Sequence, residues 1–160
     1  MANTNAIASR FHRAGRAMLL TGLMVGSINQ ASADSYHLTV VEGAPSAKAL
    51  FSGDIRGAAD ALDAAGSRTF GAETNRCVAH TLLGNDTRAV EACTNALELR
   101  PREDNRRRAR LHAVALSNLG VSQAMAGDTE SAAEAFRAAS NLRSGLEEVS
   151  LNRSHLAKQD

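Results

Sequence analysis

Cys77 and Cys93 are the only thiols in this 160-residue chain, and His80 stands three residues after the first of them. On a helix that spacing puts a thiol and an imidazole one turn apart. With Cys93 they would make three soft ligands for zinc or copper; alternatively the thiols pair as a disulfide or lie inert in a core. No Cys-x-x-Cys is present, so neither a thioredoxin-like couple nor covalent haem attachment is supported. A second concentration of chemistry is the run Arg100, Arg102, Arg106, Arg107, Arg108 and Arg110, able to grip phosphates, lipid headgroups or an acidic partner. Glu103 and Asp104 would pair part of that charge, and the aromatics needed to stack bases are missing, which argues against nucleic acid. His37, His80, His112 and His155 are scattered, and neither a nucleophile elbow nor a glycine-rich phosphate loop occurs. The residues therefore predict a non-enzyme with no metal, no cofactor and no small-molecule substrate.

The fate of the thiols depends on compartment. Arg10, Arg13 and Arg16 make a positive start with no acid nearby, and AMLLTGLMVGSI, from Ala17 to Ile28, is a short apolar run. Ala31-Ser32-Ala33 supplies the small-x-small pattern of a signal peptidase site, so the sequence predicts export and cleavage after Ala33. The rival reading, a retained membrane anchor, wants about 20 apolar residues. Losing three arginines and no carboxylate takes the formal charge from +1 to −2. No global case for a polyanionic partner survives, and an oxidising periplasm or envelope favours a disulfide.

Aromatic residues are only 3% of the chain and tryptophan is absent, whereas alanine abounds. Such a core is made by closely approaching helices rather than by a sheet. Three stretches align: SGDIRGAADALDAAG from Ser52, LGNDTRAVEACTNAL from Leu83 and AGDTESAAEAFRAAS from Ala126. Five residues after Gly53, Gly84 and Gly127 come Ala58, Ala89 and Ala132; next come Leu62, Cys93 and Phe136, then Ala65, Ala96 and Ala139. Offsets of four and three put each trio on one helix face, small residues flanking a larger one. Glycine ends the preceding helix, and Asp54, Asp86 or Thr87, and Asp128 or Thr129 can cap the next.

This pattern resembles the tetratricopeptide repeat family, most clearly from Ala113 to Ser144, with Leu116, Leu119, Gly120, Ala132, Phe136 and Ala139 in register. Gln123 stands where the family has an aromatic. Phe70 to Pro101 is a second unit, with Cys77 replacing a glycine and His80 an aromatic, and Pro45 to Gly66 is a third that keeps its second helix, while Pro45 to Ser52 allows barely two turns for the first. Glycine spacing is 31 and then 43 residues, against a usual period of about 34. The extra residues, Arg100 to Arg110, predict an elongated first helix from about Arg102 to Met125, its first turns projecting beyond the stack.

The resemblance implies an all-α superhelix of two and a half to three stacked hairpins. It also implies that the first helices line a concave groove for a protein segment, with Thr74, His80, Thr81, Asn118, Ser122 and Gln123 as candidate contacts. Within the second hairpin Cys77 and Cys93 stand at matched height on antiparallel helices, Cys77 at a site the family keeps small, so a disulfide is expected. The organisation reads as residues 1–33 signal peptide, 34–44 extended leader packing on the first hairpin, 45–144 repeat domain and 145–160 capping helix and tail. Tyr36, Leu38 and Val40 alternate as in a strand, yet no sheet is evident for them to join. In the cap, Leu146, Val149 and Leu156 should turn inward. The function expected is a protein-binding adaptor of the envelope; the alternative is docking of the Arg100–Arg110 extension on anionic lipid or nucleic acid.

Overall fold

Local stop and start signals divide the chain before any packing is considered. The computed structural model describes residues 25–28, 35–99, 101–142 and 144–159. Its elements are β1 (Val25–Ile28), β2 (Leu38–Val41), α1 (Ala47–Phe51), α2 (Ile55–Ala65), α3 (Phe70–Leu82), α4 (Asp86–Glu98), α5 (Asn105–Met125), α6 (Thr129–Asn141) and α7 (Glu147–Leu156). Gly53, Gly84 and Gly127 take φ of 83°, 69° and 86°, the left-handed turn expected at the three hairpin bends. Asp54 and Asp128 cap α2 and α6 by accepting from the amides of Gly57 and Ser131, at 3.0 and 3.1 Å. The middle cap differs from expectation: Asn85, not Asp86 or Thr87, holds the N-cap position of α4. Its side chain makes no capping bond and instead meets His80 Nδ1 at 3.3 Å.

Ser131 holds the exposed Asp128 carboxyl below its ordinary value, first through its hydroxyl and then through its amide. A lowered carboxyl pKa means the bond is present above the carboxylate range and is lost as pH falls through it. Asp128→Asn should therefore abolish an acid-induced shift of the Ser131 amide signal in an NMR titration that the wild type displays.

The helices pack as α1 with α2, α3 with α4 and α5 with α6, and α7 closes against α5 and α6. Ala58, Ala89 and Ala132 are buried, as are Leu62, Cys93, Phe136, Ala96 and Ala139, so the repeated alanine–large–alanine face is the packed one. Ala65 is the exception: α2 ends there, at Gly66, and leaves it exposed. Leu146, Val149 and Leu156 of the terminal segment all turn inward. Among the described residues no helix is long and apolar enough to cross a membrane.

Two expectations change. The long helix begins at Asn105 behind an Asp104 cap, not near Arg102, because the Asp104 side chain accepts from the Arg107 amide at 2.9 Å. Its first buried residue is Leu111, so the opening turns stand ahead of the core. The Tyr36–Val40 segment also has a sheet to join after all. β2 pairs antiparallel with β1, which lies upstream of the expected cleavage point, in the register Val25↔Val41 to Ile28↔Leu38. Nor does β2 rest on the first hairpin alone; it lies against α1, α3 and α5. Apart from Val25–Ile28, the expected signal peptide lies outside the described residues.

Candidate functional site

A strand laid across helices has a difficulty that a strand in a sheet does not: helices have no free backbone groups with which to satisfy it. Here three asparagine side chains supply them. Asn152 of α7 accepts from the His37 amide at 2.6 Å and donates to the His37 carbonyl at 2.8 Å. Asn118 of α5 does the same for Thr39, at 2.9 and 2.8 Å. Asn75 of α3 does it for Val41, at 2.8 and 3.1 Å, and donates also to the Pro45 carbonyl at 3.0 Å. All three asparagines are fully buried.

The chemistry dictates the residue type. A primary amide offers one acceptor oxygen beside an N–H donor, the same pair that a neighbouring strand presents; aspartate lacks the donor and glutamine is a methylene longer. Alternate residues of a strand point their N–H and C=O to one edge, so His37, Thr39 and Val41 face the asparagines together. On the strand the three amides bond only main chain, with Asn152 donating also to Ser117 Oγ of α5 at 3.0 Å, and the clamp thus reads extended conformation without reading sequence. It also spans the molecule: β2 runs opposite to the helix order, its start held by the last helix and its end by α3. The Tyr36 ring extends the latch, edge-on to His155 of α7 at 4.5 Å and stacked at 6.2 Å from Phe136.

The six groove residues inferred from the family pattern separate. Asn118 hydrogen-bonds the strand, at Thr39. Thr74 donates to the Phe70 carbonyl of its own helix at 2.8 Å. Thr81 and Ser122 meet each other at 2.6 Å, and Ser122 Oγ lies 3.6 Å from the sulfurs of both Cys77 and Cys93. These two hydroxyls line the disulfide rather than a groove. Gln123 is half-buried with its Oε1 unbonded. His80 is buried and faces away, its Nε2 3.3 Å from Asp63 Oδ1.

Asp63 gathers that ring together with Arg76 and Arg88, each at 3.3 Å, and Arg76 reaches Glu73 at 2.6 Å. The cluster lines a cleft of ≈ 730 Å³ between α2, α3 and α4. Its opposite charges are matched in place, so it acts as a brace between helices. Asn75 and Asn152 were not singled out from the sequence, although a signal existed. Asn75 and Asn118 each stand nine residues before a turn glycine, Gly84 and Gly127, and Asn152 follows Asn118 by 34 residues, one repeat.

Cys77 and Cys93 are joined in a disulfide between α3 and α4, with Cα atoms 5.0 Å apart. That lies inside the range a disulfide requires. Closing a loop of this size is worth about 3 kcal/mol in the chain-entropy model. Reduction, or the pair Cys77→Ala and Cys93→Ala, should lower the thermal midpoint by roughly 10 °C for a chain of this length. A melt recorded with and without reductant checks it.

The arginine cluster divides as well. Arg107 lies 3.4 Å from Glu103, and Arg108 donates to the Glu103 carbonyl at 2.6 Å and to Asn105 at 3.2 Å. Arg102, Arg106 and Arg110 are exposed, and among the described residues they make no ion pair. Arg102 also rims an apolar cleft of ≈ 710 Å³ that includes Phe70, Leu99, Pro101 and Leu111. Arg100 lies outside the described residues.

No protein-family model matches this chain, and neither the curated proteins nor the solved structures searched contain a match. The class defined by fold and site is accordingly a mostly helical chain of packed helix pairs in which α3, α5 and the terminal helix α7 hold an extended strand.

Proposed function

We propose that this chain is a non-catalytic protein-interaction module of the tetratricopeptide kind, exported to the periplasm or cell envelope. In this reading α1/α2, α3/α4 and α5/α6 are the repeat units of a superhelix and α7 is its cap. The face lined by α1, α3, α5 and α7 is the concave one and serves an extended protein segment. The observation that carries the reading is the asparagine clamp: three buried amides, from the first helices α3 and α5 and from the capping helix α7, hold an extended backbone by its main chain alone. A face so built suits recognition of polypeptide rather than of a small molecule, and the polar groups on it are committed to binding rather than to proton transfer.

Affinity capture from an envelope extract tests it, using the exported chain and the single variant Asn118→Ala, both confirmed helical by circular dichroism under the capture conditions. The reading expects a discrete partner retained by the wild type and lost by the variant; no reproducible partner, or the same set on both, overturns it. Export itself is read by intact mass, which should correspond to a chain beginning at Asp34 and lighter by the two hydrogens of the disulfide.

The exposed Arg102, Arg106 and Arg110 favour one alternative, docking of that edge on anionic lipid. Binding to phosphatidylserine vesicles should then fall on Arg102→Ala/Arg106→Ala/Arg110→Ala and weaken steeply with salt. Vesicle binding that the three substitutions leave unchanged removes the alternative.

A further inference from the structure

β2 has two edges, and the asparagines occupy only one. Because the N–H and C=O of His37, Thr39 and Val41 turn toward the helices, those of Leu38 and Val40 turn the opposite way. In the register of the β1–β2 ladder, the residues opposite them are Ile28 and Gly26. With Thr39 bonded to Asn118, the pair Ser27↔Thr39 is the non-bonded one, and Gly26↔Val40 and Ile28↔Leu38 are the pairs that exchange hydrogen bonds. β1 is held to the described molecule by this edge of the strand.

From this placement we propose that the Leu38–Val40 edge is a strand-addition site, which takes an extended segment of a partner polypeptide, antiparallel and in the register that Val25–Ile28 holds in this chain. The proposal rests on the interaction-module reading and states how the partner enters: it extends β2 outward and does not displace β2 from the asparagines. Residues 25–28 lie upstream of the Ala33 cleavage point read from the sequence, so processing there removes the resident strand and leaves two N–H and two C=O groups on a rigidly mounted edge. An unpaired edge of this kind is a template for a further strand. Recognition is by main chain, and a partner needs about four residues in extended form with a free N–H at the two bonded positions and no proline there. Clamping by α3, α5 and α7 means that the edge is already in its bound conformation, so little ordering is required when the partner arrives.

The test uses the full chain carrying Gly26→Pro and Ile28→Pro, which removes the two N–H groups that bind β2 while leaving the helical body intact by circular dichroism. The probe is the fluorescent peptide LMVGSINQ, and its control is the same peptide N-methylated at the positions of Gly26 and Ile28. The unmodified peptide is expected to bind the variant roughly tenfold or more tightly than the wild type, and N-methylation to abolish that gain. In hydrogen exchange on the variant, the Leu38 and Val40 amides should be fast alone and protected with peptide, while His37, Thr39 and Val41 stay protected throughout. Binding that instead exposes the Thr39 amide means the peptide replaces β2; that overturns strand addition and leaves the groove reading standing. Equal binding of the N-methylated peptide also overturns strand addition. Absence of binding at any concentration tested overturns strand addition, while the interaction-module reading is decided by the affinity capture. Wild-type exchange provides an independent check: slow Leu38 and Val40 amides that become fast on Ile28→Pro alone support the edge assignment, and amides indifferent to that change refute it.

Discussion

Asn118→Ala should destabilise the fold by about 4 kcal/mol, far more than one exposed polar substitution, because it leaves two buried groups without partners. The Asn118 amide bonds both the N–H and the C=O of Thr39, and Thr39 itself is 2% exposed. Each orphaned buried group costs about 1–3 kcal/mol, and an alanine side chain has neither the donor nor the acceptor that the amide supplied. The effect should be spatially specific. Amide exchange should speed up at His37, Thr39 and Val41, whereas the cores of α3 and α5 stay slow, since the strand can lift before the helices open. Asn118→Asp should be nearly as harmful, keeping an acceptor for the Thr39 N–H but facing the Thr39 carbonyl with a second acceptor. Asn141→Ala, at the exposed end of α6, should stay within about 0.5 kcal/mol. Urea melts of the four proteins decide it; an Asn118→Ala midpoint equal to that of Asn141→Ala would mean the clamp carries no stability.

The second large effect is expected at Phe136→Ala, at about 4 kcal/mol, a value typical of removing a fully buried phenyl ring. Phe136 is the largest wholly buried side chain of the repeated face. It fills a space that Gly120 opens: a Cβ at Gly120 would lie 2.6 Å from the ring. The two residues are therefore one packing unit, the absence of a side chain on α5 matched to an aromatic on α6. Gly120→Ala alone should cost about 2 kcal/mol through overpacking. Combined with Phe136→Leu it should cost less than the sum of the single changes, because the smaller side chain vacates the clash. The Tyr36 ring rests on the same phenyl at 6.2 Å, so Phe136→Ala should loosen the strand as well as the helices. Additive costs in the double variant, measured by denaturant unfolding, would show that the two positions are independent.

The helical part of this molecule was legible because its determinants are local. Glycine at φ above zero, an aspartate able to cap and an alanine–large–alanine face at offsets of four and three all act within one or two turns of chain. They placed α2, α3, α4 and α6, and they put Cys77 and Cys93 at matched height on neighbouring helices. Where the reading erred, a local competitor had been overlooked: Asp104 caps α5 and moves its start to Asn105, and Gly66 ends α2 early enough to leave Ala65 exposed.

Thr81 and Ser122 show a different kind of miss. Polar residues on a first helix read as groove-facing, yet these two turn to one another beside the disulfide, where a hydroxyl can bond back to its own helix and be buried without penalty.

The asparagine clamp illustrates what lay beyond the sequence. Asn75, Asn118 and Asn152 recur in step with the repeat, and that much is written in the chain. Asparagine is a modest helix former and more usual in caps and turns, so its presence inside a helix signals a partner without saying where the partner is. The partners are 34, 79 and 115 residues away. Only the stacking of α3, α5 and α7 brings three amides into line at a spacing an extended strand can meet. Sequence alone determined the hairpins, their bends and the thiol pair, because propensity, capping and periodicity act along the chain. Tertiary structure alone decided that a strand crosses them and which of its edges the helices hold, because a backbone hydrogen bond is satisfied by whatever packing brings near.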